Sequence, residues 1–160
     1  MRNSKVKGFT LIELIVVIAI IGVLAAILVP SMIGYLRNAR ISAANADAKL
    51  VNTAVATALT QANAAGVTSS VLNSATSGAV TINAGGLTTT WGTYSIDFED
   101  YLGKNYKGFS YTKIDTNAFA PEFSLWSDDN NCGNAQLSSS VQEANAKTGK
   151  IIGCYPLLNS

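Results

Sequence analysis

Between Lys7 and Arg37 the chain carries one charge, Glu13, and from Leu14 through Leu36 it carries none. Such a run exceeds the ~20 apolar residues that cross a hydrocarbon core as a helix. The carboxylate at its edge is the anomaly. Holding one at the centre of a spanning helix costs roughly 2.5–3.5 kcal/mol, so Glu13 implies a partner. Arg2, Lys5 and Lys7 precede the run with no acid among them. Positive charges stay cytoplasmic, which places the C-terminal part of the chain outside.

A cleaved secretory signal has a short apolar core and then a small-residue cleavage site. Ala25-Ala26 would have to serve, but the run continues past it through Ile27, Leu28 and Val29. An anchor that stays in the membrane fits better. Nor does the helix end with the apolar run. Residues 37–65 contain no Pro or Gly and are dense in Ala, the best helix former. Ile41, Ala44, Ala48, Val51, Val55, Leu59 and Ala62 recur at three- and four-residue spacing and define one amphipathic face. Asp47, Lys49, Asn52, Thr60 and Asn63 fall largely outside it. Gly66 is the expected stop. A continuous helix from Phe9 to Ala65 would be roughly 85 Å long. Two residues oppose its first half: Gly22, at about 1 kcal/mol relative to Ala, and Pro30, at about 3 kcal/mol in a helix interior.

Beyond about residue 64 the chain turns rich in Ser, Thr, Asn and Gly, so its 48% hydrophobic content is concentrated at the front. Without residues 1–8 the balance is 8 basic to 10 acidic residues, a net of −2. No basic patch of the kind that holds nucleic acid remains, and direct nucleic-acid binding is not expected. With no histidine in the chain, His-based catalysis and His metal ligation are excluded. Cys132 and Cys154 form a pair in a small exported domain, which favours a disulfide over a metal site; two buried free thiols are the alternative. A bond closing that loop would stabilise by about 3.4 kcal/mol on chain-entropy reasoning.

The stretch Lys7-Gly8-Phe9-Thr10-Leu11-Ile12-Glu13, followed by an apolar helix, resembles the N-terminus of type IV prepilins. The resemblance implies cleavage between Gly8 and Phe9 by a prepilin peptidase and N-methylation of Phe9. It also implies that Glu13 of one subunit neutralises the terminal amine of another during assembly. Each charge then removes part of the other's desolvation penalty. Many relatives of this kind carry glycine and proline where Gly22 and Pro30 stand, which implies a helix break: a segment helical in the membrane and extended in the filament. The implied fold is α+β and pilin-like, a lollipop whose long N-terminal helix packs on a small antiparallel β-sheet domain. The implied organisation is a leader at 1–8, an assembly and transmembrane half-helix at 9–36, an amphipathic half-helix at 37–65 and a β-rich head at 66–160. The position of Cys132 and Cys154 also resembles the C-terminal disulfide region of such pilins.

In the head, residues 66–86 read as a loop-rich connector with one strand, Ala79–Ile82. Ser95 precedes Ile96-Asp97-Phe98-Glu99-Asp100, which read as a short helix with acids in its first turn, ending near Gly103. Phe109–Ile114 and Glu122–Ser127 read as strands. Asp128-Asp129-Asn130-Asn131 reads as a turn; its oxygens suit calcium, but the spacing is not that of an EF-hand, and no metal or cofactor is expected. Ser140 and Glu143 form a capping box opening a helix, and Ile151–Tyr155 is a last strand. Trp91, Tyr94, Trp126 and Tyr155 are candidates for a sugar- or surface-binding patch, against the plainer role of filling the core.

The function expected is that of a structural subunit, not an enzyme. It would be held in the cell membrane by its helix, N-terminus cytoplasmic, and then polymerised into a surface fibre. The partners are other pilin subunits, the peptidase, the assembly machinery and, before assembly, membrane lipid. The alternatives are a pseudopilin of a type II secretion system and a membrane-tethered binding protein that does not polymerise. Replacing Gly8 with a bulky or charged residue should block processing. N-terminal sequencing of surface protein still beginning at Phe9 would contradict the cleavage assignment.

Overall fold

The computed structural model describes residues 8–83, 86, 88–129 and 132–158. Arg2, Lys5 and Lys7 of the expected leader, and Asn130 and Asn131 of the expected turn, lie outside the described residues. The chain divides after Arg37 into two compact units.

Helix α1 runs from Leu11 to Ala64, about 81 Å at 1.5 Å per residue. It continues through Gly22 and Pro30 without interruption, so neither residue breaks it in the isolated subunit. In the first unit every large apolar side chain from Phe9 to Leu36 is between 47% and 84% exposed, and the helix is long and apolar enough to cross a membrane. Within the second unit the pattern changes to one buried face of Ala44, Ala48, Val51, Ala54, Val55, Ala58, Leu59 and Ala62. That is the predicted face, with Ile41 half-buried at its near end. The helix stops in a Schellman motif: Val67 N–H reaches Ala62 O at 3.0 Å and Gly66 N–H reaches Asn63 O at 3.0 Å. Gly66 supplies the positive φ of 87° that this closure requires.

The head adds α2 (Ser69–Thr76), β1 (Ala79–Asn83), β2 (Thr88–Trp91), β3 (Tyr94–Asp97), α3 (Glu99–Leu102), β4 (Phe109–Asp115), β5 (Ala120–Ser127), α4 (Ser139–Lys147) and β6 (Ile152–Tyr155). Strands β1, β4, β5 and β6 form one antiparallel sheet in the order β1-β4-β5-β6, and β2-β3 is a separate hairpin. The architecture is therefore α+β, with the second half of α1 packed on a small antiparallel sheet.

Along part of the seam between helix and sheet the buried residues are small. Ser110, Thr112 and Ser124 are buried and satisfy one another or the backbone. Thr112 and Ser124 hydroxyls meet at 2.8 Å, Asn52 of α1 donates to Ser124 Oγ at 3.2 Å, and Ser110 donates to Ile82 O at 3.2 Å. At β6 the approach is tighter. A Cβ on Gly153 would lie 1.8 Å from Ala44 O. Asn45 then fastens β6 and α4 to α1. Its Oδ1 accepts Cys154 N–H at 2.9 Å and Gln142 Nε2 at 2.6 Å, and Gln142 also donates to Ile152 O at 2.9 Å.

Two apolar clusters flank this polar seam. One gathers Val51, Val55 and Leu59 of α1 with Leu72, Ile82, Trp91, Ile96, Phe98 and Ile114. The other holds Phe123, Leu125, Cys132, Ile152 and Cys154.

The structure departs from expectation in three places. The connector at 66–86 contains α2, whose N-cap Thr68 accepts Val71 N–H. Ser95, Ile96 and Asp97 belong to β3 and the helix is only Glu99–Leu102, because Gly92 (φ 67°) opens a two-residue turn joining Trp91 to Tyr94; glycine at that first position suits a II′ hairpin. Finally, α4 starts at Ser139 after Ser138, with no side-chain cap. Glu143 pairs with Lys147 at 3.0 Å instead of closing a box with Ser140. Gly153→Ala should lower the stability of the full chain in detergent by at least about 2 kcal/mol, since both colliding groups are backbone and cannot turn aside. A denaturation midpoint equal to that of the parent chain would contradict this close approach.

Candidate functional site

The N-terminal end of α1 is built from four residues. Gly8, Phe9 and Thr10 precede the helix, which begins at Leu11. The Gly8–Phe9 bond is thus outside helical structure, with Phe9 84% exposed and open space around Gly8. Thr10 and Glu13 form a reciprocal capping box. Thr10 N–H donates to Glu13 Oε2 at 2.9 Å, and Thr10 Oγ1–H donates to the same oxygen at 2.6 Å. Glu13 N–H in turn reaches Thr10 Oγ1 at 3.4 Å. Two otherwise orphaned amides of the first turn are satisfied by this exchange.

The carboxylate is therefore not bare in the single subunit. Its Oε2 is engaged twice by Thr10, while Oε1 accepts no hydrogen bond among the described residues. One oxygen is held at the helix entrance and the other is open to a further donor. Sequence reasoning singled out Gly8, Phe9 and Glu13 but missed Thr10. The signal was present, since Thr-x-x-Glu directly before an apolar run is the capping-box pattern.

The cysteines lie together in the second apolar cluster, but the expected disulfide is not formed in this structure: both are buried free thiols. Each sulfur has backbone neighbours. Cys154 Sγ accepts Leu137 N–H at 3.4 Å and donates to Pro156 O at 3.4 Å, while Cys132 Sγ donates to Gly133 O at 3.7 Å. Burial pushes the Cys132 thiol up to about 11, against smaller opposing contributions from its own backbone amide and the Lys150 charge. Burial pushes Cys154 upward as well.

Of the four candidate surface aromatics, Trp91 is buried at 1% exposure and offers no ring face. Trp126 is half-buried and donates its Nε1–H to Lys107 O at 3.2 Å. Tyr155 carries Lys49 Nζ 5.5 Å above its ring. No group of three His, Cys, Asp or Glu suited to a metal occurs among the described residues.

A family model described as the prokaryotic N-terminal methylation motif matches residues 3–29, the segment in which this cap is built. The match covers this N-terminal segment alone and shows its likeness to chains that carry the motif. Relatives extend the likeness. The type IV major fimbrial protein FimA of Dichelobacter nodosus is 44% identical over 57 residues, 36% of each chain. The type IV major pilin protein PilA of Myxococcus xanthus is 46% identical over 52 residues, 32% of this chain and 24% of PilA. The type IV major pilin protein PilE of Neisseria gonorrhoeae is 52% identical over 42 residues, 26% of this chain and 25% of PilE. The chain spans 36–41% of the length of the FimA proteins it matches. No solved structure matches it. The methylation motif, these relatives and a long helix packed on a small antiparallel sheet together support a type IV pilin. By name the relatives are structural proteins, which is consistent with a chain that is not an enzyme.

The thiols give a pH test. In the reduced chain the unfolded state loses the Cys132 proton first, near its ordinary value of 9.0, and the folded state loses it only near 11. Stability contributed by the buried thiol should therefore fall as pH rises across that window. Denaturant midpoints of the reduced full chain in detergent should decline from pH 9 to 11 more steeply than those of Cys132→Ala. Equal slopes would show that the thiol is not buried as described.

Proposed function

We propose that this chain is the major structural subunit of a type IV pilus. The prepilin peptidase cuts between Gly8 and Phe9 and methylates the new Phe9 amine. The subunit waits in the membrane as a single-pass protein with its N-terminus cytoplasmic. Assembly machinery then polymerises it through α1 into a surface fibre serving adhesion, motility or DNA uptake. The observation that supports this most directly is the half-engaged carboxylate of Glu13, at the open end of an exposed apolar helix. Its Oε1 is available to a terminal amine of another subunit, and that amine exists only after cleavage at Gly8–Phe9. Neutralising the pair lets both groups enter an apolar filament interior, where a lone charge would be costly.

Gly22 and Pro30 suit a helix that gives way locally once neighbours surround it. Proline leaves the Ala26 carbonyl without its usual amide donor. Outside the cell, Cys132 and Cys154 are placed in one cluster where oxidation would tie β6 to the segment after β5. A free-thiol count of two on exported protein would remove that bridge. A pseudopilin of a type II secretion system is the second reading, because the matched relatives cover no more than 40% of the chain.

Sheared surface material viewed by electron microscopy, with an antibody to residues beyond 66, should show labelled filaments. Mass spectrometry of the same filaments should find methylated Phe9 at the N-terminus. Glu13→Ala should lower filament yield by at least about tenfold, given the charge left without a partner. Abundant wild-type protein in the membrane with no labelled filaments would contradict the pilus reading.

A further inference from the structure

Within the second unit one side of α1 is only partly covered: Arg40, Ala43 and Leu50 are exposed and Asp47 is half-buried. Arg40 and Asp47 are seven residues apart, which brings them onto the same side of the helix at about 10.5 Å. Ala43 and Leu50 share that side at three- and four-residue steps, and Leu50 is 48% exposed. Asp47 and Leu50 line a groove of about 430 Å³ with Tyr106 and Trp126.

Neither charge has an ion-pair partner among the described residues. The only ion pairs among the described residues are Lys113–Glu122 and Lys147–Glu143. Lys104 and Lys107 also line the groove, but neither comes within 4.0 Å of the Asp47 carboxylate. Burial alone pushes the Asp47 carboxyl upward, with no cation opposing it. A partly desolvated carboxylate with an apolar neighbour on one helical face is suited to an incoming cation on another helix. The same face offers that cation, Arg40, two turns away.

We propose that this face of α1 is a contact between copies of the chain, in which Asp47 of one copy takes Arg40 of the next, the helices parallel and offset by seven residues. The inference rests on the reading that the chain polymerises, since subunits entering from one membrane share one direction. Such a contact is heterologous: each copy gives its Arg40 to one neighbour and its Asp47 to another. Contacts of that kind propagate into an open filament unless they close into a ring. An antiparallel pairing of the same residues would close on itself as a dimer.

Cysteine cross-linking of the full chain in piliated cells separates these cases. Cα atoms about 10.5 Å apart on one helix cannot be bridged by a disulfide, so any bond between positions 40 and 47 joins two copies. A chain carrying both R40C and D47C should give a ladder of dimers, trimers and higher species on non-reducing gels, and R40C or D47C alone should give none. Charge reversal gives an independent readout. Arg40→Asp or Asp47→Arg should each lower sheared filament yield at least about tenfold, because like charges then oppose one another. The double exchange should restore yield to within about twofold of wild type. Wild-type filaments accompanied by no ladder, by dimers alone, or by a double exchange no better than the singles would overturn this pairing and leave the pilus reading standing. Absence of wild-type filaments would overturn both.

Discussion

A single helix here must satisfy two surroundings, and the change between them organises the rest of the chain. From Leu14 to Leu36 every side of α1 is apolar and uncovered. From Ala44 onward only one side is buried, and the residues on it are mostly alanine. Alanine offers little apolar area, so stabilisation must come from closeness more than from bulk. The sheet answers with equally small residues, Ser110, Thr112, Ser124 and Gly153. Larger side chains on either surface would hold the two apart and leave the buried hydroxyls without partners. Bulkier groups meet beside this seam, where Val51, Val55 and Leu59 of α1 gather with Ile82 and Ile114 of the sheet, and around Phe123 and Leu125.

The features that periodicity governs were legible in the sequence: the extent of α1, its buried face, the stop at Gly66 and strands β4, β5 and β6. The features that single residues govern were less so. The β2-β3 hairpin was passed over because its turn is only Gly92-Thr93 and the acids after Ser95 suggested a helix. Thr88-Thr89-Thr90-Trp91 before a Gly-x pair was the available sign. The capping box at Ser140 failed because three consecutive serines offer three registers, and the helix took the first. Gly153 could not be read as a packing residue, since a glycine in a strand gives no indication of what approaches it.

At the N-terminus the reading rests on a linear motif, which a family model also matches over residues 3–29. Gly8, Phe9 and Glu13 are fixed by order alone. What the motif does not convey is the state of the carboxylate before a second subunit arrives. Thr10 shows that Glu13 already belongs to the geometry of its own helix end. On the reading proposed above, a partner amine would therefore meet a carboxylate that its own helix end already orients. The cysteines illustrate the opposite limit. Their spacing placed them in one region, but whether two thiols there are joined depends on oxidant and local geometry, neither of which is written in their order.

The Asn45 clamp carries a consequence for how the subunit is made. Its bond to Cys154 joins residues 109 positions apart, linking the first helix to the sixth strand. A chain emerging amino end first exposes Asn45 long before Gln142 and β6 can reach it. During that interval the amide has only water for company, and the sheet edge at β5 stands open. Completion of the head thus waits on the last strand, which pairs with β5 and is fastened to the helix through Asn45.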